Sequence, residues 1–269
     1  MSTGMHGWQL EGSSSDAYDE FLVPAIFEPW AEVLLDTVDP KPGERVLDLA
    51  CGTGAAARAA AGRVLPQGTV TGTDVNPAML TTARRLDQDD HLIEWHEADA
   101  VALPFQAETF DVVVCQQAFQ FIAGREDAAR EMQRVLTPAG RAVVGVWRGL
   151  EHNRAFALFA DVLERHAPAA GEIMRSPFRL GEGLALRELL TSAGFGHVRV
   201  VVEAKVSRFP SPAELLRQEA LSSPLAEPLG QLDRTALDAL VDDVAAVLAG
   251  YVDDDGLAMP MESHIALAS

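Results

Sequence analysis

Cysteine is almost absent. Cys51 and Cys115 are the two thiols in 269 residues, too few for a disulfide framework or a structural zinc site, and both read as small packing residues. Basic residues are scarce as well: 21 Lys and Arg stand against 40 Asp and Glu, a formal net charge of −19. A polyanion would meet repulsion over most of such a surface, so neither nucleic acid nor an anionic membrane is an expected partner. No stretch approaches the ~18 consecutive apolar residues of a membrane span. Residues 1–20 lack the basic start and apolar core of a secretory leader, and a cytoplasmic location is expected. Without internal repeats or low-complexity linkers, 1–269 reads as one domain. The run Asp253-Asp254-Asp255 lacks the alternating spacing of a calcium loop and reads as a solvated turn, so no metal is expected.

What is present alternates between two periods. Apolar residues at mixed three and four spacing predict helices over 18–38, broken by Pro24 and Pro29. A strand over 45–50 runs into the turn Cys51-Gly-Thr-Gly54 and an alanine-rich helix to Val64. A second strand over 69–74 precedes Asn76-Pro77, an N-cap and first-turn proline for a helix through Leu86. Strands over 92–97 and 110–116 follow, the latter apolar enough for burial on both faces. A helix over 125–136 closes at the turn 137–140, and 141–147 is a fifth strand. Strands alternating with helices imply an α/β, doubly wound, parallel sheet. Beyond it come a helix over 182–193, a long strand over 197–209, two helices within 211–249 parted near Pro224 and Pro228, and a last strand over 259–268.

In such a sheet ligands bind beyond the carboxyl ends of the strands, at the turn after the first strand. Gly52 and Gly54 let a ligand approach the backbone, and the helix behind them offers free N–H groups to a pyrophosphate or a carboxylate alike. Gly52-Thr-Gly54-Ala-Ala-Ala57 fits a dinucleotide fingerprint, with Asp74 about 20 residues beyond Gly54 as a ribose-binding acid. An NAD(P)-dependent oxidoreductase is therefore a real alternative. Against it stands Asp48, a carboxylate inside the first strand that repels a pyrophosphate and suits a cationic amine. Buried in a strand, it is costly unless paired.

Five ordered motifs then resemble the class I S-adenosylmethionine-dependent methyltransferases. They are Val46-Leu-Asp-Leu-Ala-Cys-Gly-Thr-Gly54, Thr73-Asp74-Val-Asn-Pro-Ala-Met79, Ala98-Asp99-Ala100 with Leu103-Pro104-Phe105, Phe110-Asp-Val-Val-Val-Cys-Gln116, and Arg134-Val-Leu-Thr-Pro-Ala-Gly140. The resemblance is good over 46–147 and looser elsewhere; Ala50 stands where many members have glycine. It implies a mostly parallel seven-stranded sheet of order 3-2-1-4-5-7-6 with the last strand antiparallel, and S-adenosylmethionine as cofactor. It also implies that Asp48 and the backbone of Ala50 and Gly52, in the turn closed by Gly54, hold the methionine amine and carboxylate. Asp74 takes the ribose hydroxyls, Val75 and Met79 flank the adenine, Asp99 and the Ala100 N–H meet its edge, and Gln116 lines the methionyl arm. The bland readings differ: a helix cap for Asp74 and a loop acid for Asp99 stand second to the ligand role, whereas Asp111 reads as structural.

A methyl sulfonium is already an activated electrophile, so in-line displacement mainly requires alignment and exclusion of water, with a general base optional. The segment Cys115-Gln-Gln-Ala-Phe119 lacks the Asn/Asp-Pro-Pro-Tyr/Phe motif of relatives that methylate base amino groups. His152, just after the fifth strand, and Gln117 are the candidate base or substrate contacts; Gln120 is a further donor, though a polar helix stripe explains both glutamines equally. His91, His96, His166 and His197 read as surface or strand residues and His264 as structural. Segments 1–38, 148–180 and 210–256 are expected as a helical cap over the cofactor and substrate face. Phe156, Phe159, Met174 and Phe178 are either its apolar acceptor surface or core. The expected activity is methyl transfer to a small, apolar metabolite, with a cofactor-binding protein of non-methylating chemistry as a further alternative. The oligomeric state is not legible.

Overall fold

The computed structural model describes residues 13–87 and 92–269; His91 lies outside them. The chain opens with α1 (Ser13–Ala17), continues in wide, π-type turns over Tyr18–Phe27, and passes into α2 (Glu28–Val38). Here the expected break at Pro24 does not occur. Proline has no N–H for an ordinary helical bond, and the wider turn absorbs the defect: the Glu28 N–H reaches back five residues to the Val23 carbonyl. Pro29 sits in the first turn of α2, where a missing N–H costs nothing.

The alternating units follow as β1 (Arg45–Leu49), α3 (Ala55–Val64), β2 (Thr69–Asp74), α4 (Pro77–Leu86), β3 (Ile93–Glu97), β4 (Phe110–Gln116), α5 (Arg125–Val135) and β5 (Leu136–Trp147). Then come α6 (Arg154–His166), α7 (Pro168–Arg175), α8 (Gly183–Ser192), β6 (Val198–Phe209), α9 (Pro212–Ser222), α10 (Ala226–Leu229), α11 (Arg234–Leu248), β7 (Val252–Asp253) and β8 (Gly256–Ala268). The sheet runs β3-β2-β1-β4-β5-β8-β6, with β7 paired to β8 off this path. β1 pairs in parallel with both β2 and β4, whereas β8 is antiparallel to β5 and β6. This is the expected mostly parallel order, and the crevice where strand order reverses lies between β1 and β4.

Two boundaries moved for tertiary reasons. The expected turn at 137–140 is extended and belongs to β5, because Leu136 pairs with Phe110 and a register irregularity between Phe110 and Val112 absorbs the extra residues. β8 begins earlier than expected because β6 takes a partner along its whole length, from Val198↔Ala268 to Phe209↔Leu257.

Each face of the sheet carries an apolar core, one under α2, α3, α6 and α11, the other under α5 and α8. Phe156, Phe159, Met174 and Phe178 are buried in the first of these. Gly72, in the interior of β2, has a packing reason: a Cβ there would lie 2.5 Å from the Trp95 ring. The same indole, 2.3 Å from a Cβ at Gly54, dictates that glycine too, and Gly54 holds φ +89°. Asp111 is structural, receiving Arg45 through both its guanidinium and its backbone N–H.

Candidate active site

The crevice opens into a cavity of about 310 Å³, within the range of small-molecule sites. Its floor is the turn after β1. Ala50, Gly52 and Gly54 all adopt left-handed backbone, at φ +56°, +56° and +89°. The Cys51 N–H donates to the Thr73 carbonyl at 2.8 Å and the Gly54 N–H to the Cys51 carbonyl at 2.9 Å, so the turn is pinned to β2 and to itself. A Cβ at Gly52 would meet no protein atom within 4 Å; the space beside it belongs to the cavity that Gly52 lines.

Two carboxylates bracket this turn. Asp74, at the end of β2, accepts the Gly52 N–H on Oδ2 and the Asn76 N–H on Oδ1, both at 2.8 Å. Each oxygen thus holds a main-chain N–H. Burial raises its pKa, opposed by the N–H groups of Asn76, Gly52 and Val75. Asp48 is 1% exposed, and its Oδ2 has no partner among the described residues. Burial pushes its pKa up to about 7, the Ala57 N–H opposing and the Asp74 charge adding to the rise. A buried carboxylate that lines a cavity with one oxygen unpartnered is what an ammonium ligand requires. Tyr18, which also lines the cavity, is raised well above its usual range, first by burial and then by the charge of Asp74. Burial likewise raises the Cys51 thiol, so that it stays protonated.

The structure brings Asp48, Ala50, Gly52, Asp74, Val75, Met79, Gln116 and Gln117 together around the cavity. It does not bring Gly54, Asp99, Ala100 or His152 to its wall. Asp99 is exposed and accepts the Val101 N–H at 3.2 Å; Ala100 packs in the second core. The Gly52 N–H, expected at the methionyl end, is occupied by Asp74. His152 is exposed on a turn, with its Nε2 2.8 Å from the Arg148 guanidinium, while Arg148 pairs with Glu262. Of the other histidines, His96 is half-buried on β3, His197 is exposed, His166 bonds Asp243 at 2.8 Å, and His264 bonds the Gly181 carbonyl at 3.0 Å.

The far wall was only partly foreseen. Gln117 follows β4 in a left-handed conformation, φ +52°, an uncommon state for a residue with a side chain. Its Nε2 donates to Ser263 Oγ at 2.9 Å, leaving Oε1 buried and unpartnered among the described residues. Gln120, 5% exposed, has neither amide atom partnered there. Arg125, Phe121, Ile122, Trp147, Ser176, Pro177 and Arg179 complete this side, and Val23 and Phe27 close it from the N-terminal segment. Gln116 Nε2 fixes that segment by donating to the Phe27 carbonyl at 2.6 Å. Residues 210–256 contribute no wall; α9 and α11 pack instead on the N-terminal segment and α6.

The comparisons with known proteins agree with this geometry. A family model described as a methyltransferase domain matches residues 47–144. The ubiquinone/menaquinone biosynthesis C-methyltransferase UbiE of Laribacter hongkongensis is 31% identical over 194 residues, covering 68% of this chain and 80% of the relative. UbiE of Ectopseudomonas mendocina is 36% identical over 202 residues, covering 68% and 77%. The crystal structure of the YcgJ protein of Bacillus subtilis shares the fold, with TM-score 0.59 and 16% identity over 89% of this chain and 97% of that one. Neither alternative, the dinucleotide oxidoreductase or the non-methylating cofactor binder, gains support from these likenesses. The cofactor is S-adenosylmethionine, and the activity is methyl transfer to a small molecule. The glycine turn, the two carboxylates bracketing it and these relatives place the chain in one family: it belongs to the class I S-adenosylmethionine-dependent methyltransferases.

Proposed function

We propose that the protein transfers a methyl group to carbon of a small, largely apolar acceptor seated between the glycine turn and the wall after β4. The observation that carries this reading is one cavity lined both by the carboxylates Asp48 and Asp74 and by the apolar surface of Phe27, Phe121, Ile122, Trp147 and Pro177. The relatives named as quinone-pathway C-methyltransferases support carbon as the acceptor atom.

S-adenosylmethionine, when bound, supplies a methyl on a sulfonium, an electrophile that needs no further activation. The chain's own residues do the rest. Asp48 Oδ2 would hold the amine, Asp74 the ribose hydroxyls, and Val75 and Met79 the adenine faces. Ala50, Gly52, Gly54 and Gln116 would shape the methionyl arm, and Asp99 and the Ala100 N–H would meet the adenine edge. Gln117 positions the acceptor; His152 has no part. The apolar wall excludes water, so that alignment serves transfer to the acceptor rather than to solvent.

The same reading treats 1–269 as one unit in which the N-terminal segment and 148–180 form the cap, with 210–256 bracing it; residues 1–12 lie outside the described residues. A net charge of −19 supports a small acceptor over nucleic acid. Among the described residues no helix is long and apolar enough to cross a membrane, and two free thiols support a reducing, cytoplasmic setting. Incubation with methyl-labelled cofactor and a naphthohydroquinone tests the reading. Label in an acid-stable ring-carbon product is expected; label on oxygen only, or none with any apolar acceptor, contradicts it.

A further inference from the structure

The wall after β4 carries a charge that the cofactor side does not explain. Two guanidinium groups line the cavity, Arg125 and Arg179. Arg179 is exposed and neutralised by Glu172. Arg125, half-buried at the start of α5, has no carboxylate partner among the described residues. Its Nε and Nη2 donate to the main-chain carbonyls of Phe119 and Gln120, both at 2.9 Å. Neutral carbonyls fix the guanidinium in place without cancelling its charge, and three of its five N–H donors remain. In a chain of net charge −19, an unneutralised arginine on a cavity wall is conspicuous.

Its neighbours share the property of being unsatisfied. Gln120 is 5% exposed with both amide atoms unpartnered among the described residues, and Gln117, 4% exposed, leaves Oε1 unpartnered. Buried amides without partners are unfavourable unless a ligand completes them. Gln120 offers donors and an acceptor, Gln117 an acceptor, and Arg125 a fixed positive charge.

Resting on the methyl-transfer reading, we propose that Arg125, Gln120 and Gln117 form an acceptor-recognition subsite for an ionisable oxygen, a carboxylate or acidic phenol, carried on an otherwise apolar body. The anion pairs with Arg125, the Gln120 amide donates to the same oxygen or its neighbour, and Gln117 Oε1 receives any hydroxyl proton that remains. The apolar wall takes the body of the molecule. Selection for a charged oxygen thus resides on α5 and the loop before it, remote in sequence from the cofactor-binding turn.

The test is calorimetric titration of the S-adenosylhomocysteine-loaded protein at neutral pH with naphthoate and its neutral isostere naphthamide, followed by an acidic naphthol. The acid should bind about tenfold or more tightly than the amide, as expected for a charge-assisted contact. Arg125→Gln should abolish that preference and Arg125→Lys retain part of it, while S-adenosylhomocysteine affinity stays at the wild-type value in both, which also reports an intact fold. Gln120→Leu should weaken acid and amide alike. If the naphthol outranks naphthoate, the oxygen recognised is phenolic. Equal binding of acid and amide, or binding of neither, overturns the proposal. So does a large loss of S-adenosylhomocysteine affinity in Arg125→Gln, which would assign the guanidinium to the cofactor's carboxylate. Failure of the wild-type protein to bind S-adenosylhomocysteine instead removes the methyl-transfer reading beneath it.

Discussion

The two sets of residues around the cavity are built on different principles. The residues we assign to the cofactor lie in the short stretches at the ends of β1 and β2, and much of their chemistry is backbone: left-handed turns, N–H groups held by Asp74, and a carboxylate oxygen on Asp48 without a partner among the described residues. The residues we assign to the acceptor come from the β4–α5 loop, the end of β5, the segment after α7 and the N-terminal turns, and their chemistry is side-chain amide, guanidinium and aromatic ring. A site made of backbone conformation tolerates little change and can be shared by many acceptors; a site made of scattered side chains can be retuned one residue at a time.

The sharpest way to break the comparison is Asp74→Ala. It removes acceptors for two backbone N–H groups as well as for the ribose, so S-adenosylhomocysteine affinity should fall about 10²-fold or more. Calorimetry showing wild-type affinity would place the ribose elsewhere. Gly54→Ala should come next, destabilising by roughly 2–3 kcal/mol in denaturant titration, because φ +89° and the Trp95 ring both oppose a Cβ.

A third variant probes the brace around the cap. Glu219 on α9 is 3% exposed with Oε2 unpartnered among the described residues, and burial raises its pKa to about 7. Its raised folded value means that stability is fully present below the unfolded pKa and is lost as pH rises through about 7. Glu219→Gln should match wild type near pH 4 and exceed it by up to ~3 kcal/mol near pH 8; equal melting curves at both pH values would contradict this. Smallest, Ala50→Gly should stabilise by ~0.5–1 kcal/mol by relieving a left-handed alanine at φ +56°.

Legibility in the sequence follows the same division. β4 and α4 were readable to the residue because an apolar run and an Asn-Pro start are local signals. Asp48 and Asp74 were readable because a buried strand acid and an acid after the second strand sit at fixed offsets from the glycine turn. Trp95 was missed, although a glycine inside β2 hinted that something large crosses it. Arg125 carried no mark at all: its meaning lies in the carboxylate it lacks, which is a tertiary fact. For His152 the position after β5 specified an end of the sheet and not the direction of a side chain, which meets Arg148, itself paired with Glu262. Glu219 was hidden in a helix whose burial depends on the N-terminal segment packed against it.

The central claim, that the orphaned Asp48 oxygen receives a cationic amino-acid ligand, is tested most directly by titrating S-adenosylhomocysteine into the protein across pH 6 to 8. Pairing with the ammonium stabilises the ionised carboxylate, whose free pKa is about 7. Affinity should therefore rise with pH, with proton release below that value, and Asp48→Asn should lose both the affinity and its pH dependence. Binding that ignores pH and survives Asp48→Asn, or heat with a nicotinamide dinucleotide in its place, would contradict the account.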